Sequence, residues 1–138
     1  MIDRALAERL VADWHEGWNG EDVERIMAPF AEDVVFTSPF VSRVGADPGT
    51  DGIAGRDALR TYVAGALQRT PGIRYRVDQV HLGTDTLVLD YTVTFPDGRP
   101  PTTGADLMRI DAHGLVVEWR SHYPIAFVEA RLPPPAAG

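Results

Sequence analysis

Four β-rich runs follow one another with no helical period between them, over residues 74–82, 86–95, 103–111 and 115–123. Short turn-forming segments separate them, marked by Gly83-Thr84-Asp85, Pro96-Asp97-Gly98 and Ala112-His113-Gly114. Links this short join antiparallel neighbours, because a parallel crossover needs about a dozen residues or more. The second half of the chain is therefore read as an antiparallel meander, one face of which must be covered.

The first half supplies the cover. Leu6, Leu10, Trp14 and Trp18 recur every four residues with charged residues between them, which predicts an amphipathic helix that Asn19-Gly20 ends. Glu21 and Asp22 favour a second helix start, Val23, Ile26, Met27 and Phe30 give it a short apolar face, and Pro29 closes it early. Val34, Val35 and Phe36 form a β-prone run before Pro39. Residues 41–52 carry Gly45, Asp47-Pro48-Gly49 and Asp51-Gly52 and are read as a mobile loop, either a lid or an ordinary surface loop. Leu59, Tyr62, Val63, Ala66 and Leu67 then mark a third helix over 55–69, ended by Pro71-Gly72. Helices first and a meander afterwards describe an α+β fold, a curved antiparallel sheet packed against three helices. One domain over 1–131 is expected, followed by a disordered tail over 132–138 that contains Pro133-Pro134-Pro135.

Composition removes several function classes. Without cysteine there is no disulfide, no thiolate nucleophile and no cysteine-based zinc site. No apolar run reaches the roughly 20 residues of a bilayer span, and charges interrupt the N-terminal stretch at helical spacing, so a cytoplasmic protein with no membrane partner is expected. The net charge of -7, from 20 acidic and 13 basic residues, repels phosphate backbones, which argues against nucleic acid as a partner. His15, His81, His113 and His122 show no ligand spacing, so neither a metal nor another cofactor is expected. His122 shares its strand face with Glu118 and Arg120 and is read as a solvated or interface imidazole.

The order of elements resembles the nuclear transport factor 2-like superfamily, in particular its SnoaL-like and ketosteroid isomerase-like branch. Asp22 to Pro39 resembles the family's second helix entering its first strand. Gly55-Arg56-Asp57-Ala58-Leu59 resembles its G-R-x-x-I/L helix start, and Asp106 to Ile110 with Gly114 to Trp119 resembles its last hairpin. The likeness covers roughly residues 5 to 125 and implies a cone-shaped fold around one small-molecule pocket. It specifies chemistry poorly, since that scaffold serves isomerases, polyketide cyclases, epoxide hydrolases, dehydratases and non-enzymatic binding subunits.

Strand alternation nominates the pocket residues. Val117, Trp119, Ser121 and Tyr123 share one face of the last strand, and Gly104, Asp106, Met108 and Ile110 share one face of its neighbour. If the resemblance holds, Asp106 points into the cone, where apolar surroundings disfavour its charged form and a neutral acid can donate to an oxyanion, as in ketosteroid isomerase. The alternative for Asp106 is a carboxylate satisfied by a neighbouring strand or loop. Trp14 and Trp18 suit the wall of a pocket for a flat ligand, or plain core. Phe30, Ser38, Tyr62 and Met108 complete the candidate lining. The resemblance also implies departures: Ser38 stands where the isomerase branch has its base aspartate, Trp14 where it has a phenol, Phe30 and Val63 where it has supporting tyrosines. Cyclases resemble this chain near Glu118 but place an aspartate at the position of Ser121.

Asp90 is the second candidate acid. It shares a face with Thr92 and Thr94, opposite Leu89, Tyr91, Val93 and Phe95. An apolar outer face used as a homodimer contact would turn Asp90 inward, where it could pair with Asp106 as base and acid. The leading expectation is a cofactor-independent isomerase, cyclase, dehydratase or hydrolase acting on a small apolar or polycyclic molecule, with Asp106 and Asp90 catalytic. The alternative is a non-catalytic domain that binds a small molecule.

Overall fold

The computed structural model describes residues 2–41 and 52–131. In chain order the elements are α1 (Arg4–Asn19), α2 (Val23–Met27), β1 (Phe30–Thr37), β2 (Gly52–Ala54), α3 (Arg56–Arg69), β3 (Arg74–Leu82), β4 (Thr86–Thr94), β5 (Thr102–Ile110), β6 (Val116–His122) and α4 (Ile125–Arg131). The α+β class and the meander are both present: β3 to β6 pair antiparallel in sequence order within a six-stranded sheet ordered β2-β1-β6-β5-β4-β3. Most of the expected 41–52 loop and all of the expected 132–138 tail lie outside the described residues.

The helix starts follow from side-chain caps. Asp3 accepts from the Leu6 amide at 2.8 Å and Asp22 from the Arg25 amide at 3.1 Å, each satisfying a donor that a first turn leaves open. Asn19 is more than a stop signal. Its side chain accepts from the Tyr75 amide at 2.7 Å and donates to the Tyr75 carbonyl at 2.8 Å, which pins the end of α1 to the start of β3. Arg56 joins the other helices to the sheet, donating to the Phe30 carbonyl at 3.2 Å and the Met27 carbonyl at 3.1 Å. Gly55 precedes it at φ +96°, a conformation that a side chain would strain. The Gly-Arg pair is thus a structural joint.

Four local features differ from expectation. β1 lies parallel to β6 instead of antiparallel, which is open to it because α3 and the meander intervene and no hairpin dictates direction. β2, only three residues long, pairs with β1 and is too short to reveal alternation. α4 adds a further helix, seven residues with no buried side chain and too short for a helical period to announce it. On β6 the interior residue is Val116, not Val117. Ile110 faces Val116 and Arg109 faces Glu118, so Val117 is the extra residue of an irregularity in the pairing.

The core lies between the helices and the inner face of the sheet, with Leu10, Met27, Val34, Leu59, Val63, Leu87, Leu89, Met108 and Val116 fully buried. Each such side chain contributes roughly 1.5–3 kcal/mol of burial. Leu89, Tyr91 and Val93 belong to this core, which corrects the expectation that they form an outer dimer face and that Asp90 turns inward. Register gives the reason. Leu89 sits opposite Asp106 and Asp90 opposite Ala105, and directly opposed residues share a face, so an inward Asp106 requires an outward Asp90. The homodimer expectation loses the face on which it rested. Among the described residues no helix is long and apolar enough to cross a membrane.

Candidate functional site

Asp106 is 2% exposed, on the inner face of β5. Two indoles reach its Oδ2: Trp14 from α1 and Trp119 from β6, each donating from Nε1 at 3.0 Å. The Tyr91 hydroxyl of β4 donates to Oδ1 at 3.0 Å, and Ser121 supplies a fourth hydrogen bond. Four elements therefore meet at one carboxyl group. Burial pushes its pKa above the ordinary aspartate value, while the bonds from Trp119, Ser121, Trp14 and Tyr91 pull it back.

The donor set fixes where a proton can sit. An indole has no lone pair to offer, so Oδ2 is held as an acceptor in either protonation state, and a proton on Asp106 belongs on Oδ1, facing Tyr91. Tyr91 also shares a hydrogen bond with Tyr123, and burial raises both phenols, most strongly in the presence of the Asp106 charge beside them. A phenol carries a single proton, so the chain Asp106–Tyr91–Tyr123 has two ordered states. With Asp106 ionised, Tyr91 donates to it, Tyr123 donates to Tyr91, and Tyr123 is left with lone pairs. With Asp106 neutral, every bond reverses and Tyr123 is left with a proton to donate.

Tyr123 lines an open cleft of about 230 Å³. Tyr62, Tyr75, Phe40, Phe95 and Phe127 form further wall, and Arg69, Arg99 and Arg131 stand around it. Ser38 is buried, accepts from the Phe40 amide at 3.2 Å and bonds the Tyr62 phenol, which burial raises in pKa while Arg69 and Ser38 lower it. Burial likewise raises Tyr75, next to Asp106 and Tyr62. Such phenols are neutral near pH 7 and act as donors, not bases. No aspartate, glutamate or histidine among the described residues lines this cleft.

The candidate residues named from sequence thus divide. Tyr62 and Tyr123 line the cleft; Asp106, Trp14, Trp119 and Ser121 form the buried cluster behind it, and Ser38 supports Tyr62. Phe30 stacks on Trp119 at 5.2 Å and Met108 is core. Trp18 does not line the cleft. Its ring lies 5.7 Å from that of Tyr75 and 6.3 Å from that of Trp119, and its buried Nε1 has no acceptor among the described residues. Asp90 stands on the outer face, 3.1 Å from His81. Glu118 is also outside, paired with Arg109 and Arg120, whose hydrogen bonds hold its carboxyl below the usual range. Sequence reasoning missed Tyr91, Tyr75 and the three arginines. The plain rule that the apolar face of a strand turns inward would have found both tyrosines, since Tyr91 alternates with Leu89 and Val93, and Tyr75 with Val77.

The fold is shared with solved structures. A SnoaL-like protein of unknown function from Burkholderia thailandensis E264 superposes with a TM-score of 0.77 at 20% identity, over 89% of this chain and 98% of that one. A protein provisionally named a ketosteroid isomerase, from Kribbella flavida DSM 17836, gives a TM-score of 0.65 at 23% identity, over 96% of this chain and 82% of that one. No curated protein matches at a significant level. A SnoaL-like domain model matches residues 11–119, from α1 to the tryptophan of β6 that bonds Asp106. That stretch spans most of the chain and supplies three of the four donors around the buried carboxyl, so the protein belongs to the SnoaL-like domain family, within the nuclear transport factor 2-like superfamily.

Proposed function

We propose that the cleft receives a small, oxygen-bearing apolar molecule and that Tyr123, when Asp106 is protonated, donates a hydrogen bond to that oxygen, which is the electrophilic half of isomerase-type chemistry without a cofactor. The Asp106–Tyr91–Tyr123 chain carries the proposal, because it links a buried carboxyl group to a phenol in the cleft wall. A preorganised donor stabilises an enolate oxygen with little reorganisation. Asp106 does not line the cleft, so its role is that of a positioning residue acting through Tyr91, while Tyr123 meets the substrate. Tyr62, whose oxygen is already engaged by Ser38, adds a second donor.

2-Naphthol, an enolate analogue, tests the donor. Its affinity should fall about tenfold in Tyr123→Phe, the worth of one hydrogen bond. In Asp106→Asn the pH dependence of that affinity should flatten. Unchanged binding in Tyr123→Phe would remove the phenol from the proposal.

A non-catalytic binding domain is the second possibility, favoured by the lack of a carboxylate or imidazole in the described cleft lining. Exchange of the α-hydrogens of 2-tetralone in deuterated buffer separates the two. Acceleration over buffer supports turnover, whereas binding without acceleration supports the accessory domain. A homodimer remains a proposal, and light scattering at 15.1 kDa would retire it.

A further inference from the structure

Three guanidinium groups from three different elements gather at the cleft. Arg69 belongs to the last turn of α3, Arg99 to the turn between β4 and β5, and Arg131 to the end of α4. Guanidinium groups brought to one opening favour a bound anion there. The chain as a whole carries a net charge of -7, so this is a local reversal and not an extension of the general surface.

The arginines are held ready for a ligand. Arg131 lies over the Phe127 ring at 3.6 Å and Arg99 over the Phe95 ring at 4.3 Å, while Phe95 and Phe127 stack with an interplanar angle of 14°. Stacking fixes each guanidinium plane, so less side-chain freedom is lost when its fork meets a carboxylate. Arg99 is paired with Asp97 on its own turn at 2.8 Å. Arg69 has no ion-pair partner among the described residues and faces the Tyr62 phenol instead.

We infer that the ligand is a flat apolar or aromatic carboxylic acid, its carboxylate held by Arg69 and Arg99 and its body against the cleft aromatics. The inference rests on the cleft being the ligand site and names the substrate class for it. A volume of about 230 Å³ equals the share of roughly seven or eight waters at about 30 Å³ each, which suits one or two rings.

The test uses 2-naphthoate and its neutral isostere 2-naphthamide, titrated into the full chain by calorimetry. Naphthoate should bind about tenfold more tightly than naphthamide, with a preference that shrinks as salt is raised. Arg69→Gln and Arg99→Gln should each remove about three- to tenfold of the naphthoate affinity and weaken naphthamide by clearly less, and Arg69→Lys should restore part of the loss. Equal affinity for acid and amide, or arginine variants that weaken both alike, would overturn the carboxylate inference. Failure of both probes would overturn it as well. The phenol proposal fails separately, through naphthol binding that ignores Tyr123→Phe.

Discussion

Asp106 and Asp90 lie on adjacent strands one register step apart, yet their surroundings are opposite. Asp106 meets four donors inside the core, while Asp90 meets a half-exposed histidine and water. The residue type is identical, so the difference lies wholly in which face of the pleat each occupies. Inside, a carboxyl group organises two indoles, a phenol and a hydroxyl that would otherwise be buried without partners. Outside, a pair of this kind is worth about 0–1 kcal/mol.

The largest break of this comparison is removal of each carboxyl in turn. Asp106→Ala strands the buried donors and should cost about 3–5 kcal/mol in urea unfolding, while Asp90→Ala should stay within about 0.5 kcal/mol. Similar losses from both would show that the inner cluster is not a satisfied network. The two indoles of α1, one helical turn apart, extend the contrast. Trp14→Phe deletes a bond to the buried carboxyl and should cost about 1.5–3 kcal/mol, whereas Trp18→Phe deletes a buried donor that has no acceptor among the described residues and should cost no more than about 1 kcal/mol.

A smaller effect comes from Gly104, opposite Tyr91 in the ladder. A Cβ there would approach the Tyr91 ring and hydroxyl to 2.5–2.6 Å, so Gly104→Ala should push Tyr91 off Asp106 and cost about 1–3 kcal/mol by thermal unfolding. The least effect is in pH dependence. A carboxyl whose folded pKa lies above its unfolded value of about 3.9 binds more protons when folded, so its contribution is full below that pH and is lost as pH rises through the folded value. The slope is at most about 1.4 kcal/mol per pH unit. Asp78, Asp97, Asp111 and Glu118 are lowered and act in the opposite sense. Subtracting the Asp106→Asn profile from the parent cancels them and should leave a falling curve. A flat difference would mean that the donors fully offset burial.

Much of the framework was legible in the sequence. Turn triplets bounded the meander to within a residue or two, and periodicity located α1, α2 and α3, because both signals depend on near neighbours in the chain. Asp106 could be assigned a face from Met108 and Ile110 alone. Its neighbours could not be foreseen in the same way: Trp14 bonds it across 92 positions and Tyr91 across 15, and separations of that size carry no periodic signal. An apolar outer dimer face predicts an inward Asp90, whereas the alternation of its own strand puts it outside, where the structure has it. The arginine rim was invisible for a related reason, since Arg69, Arg99 and Arg131 sit in three end segments where surface charge is ordinary.

The sequence by itself determined the order and kind of the main elements, the α+β class and, where alternation is unbroken, the side of the sheet on which a strand residue falls, since these follow from local torsional preference and period. Tertiary structure decided which side chains share the Asp106 carboxyl, how its burial raises its pKa and which groups face the cleft. Those outcomes depend on sheet register and on the anchoring of the end of α1 to the start of β3, and both are set by packing between residues distant in the chain.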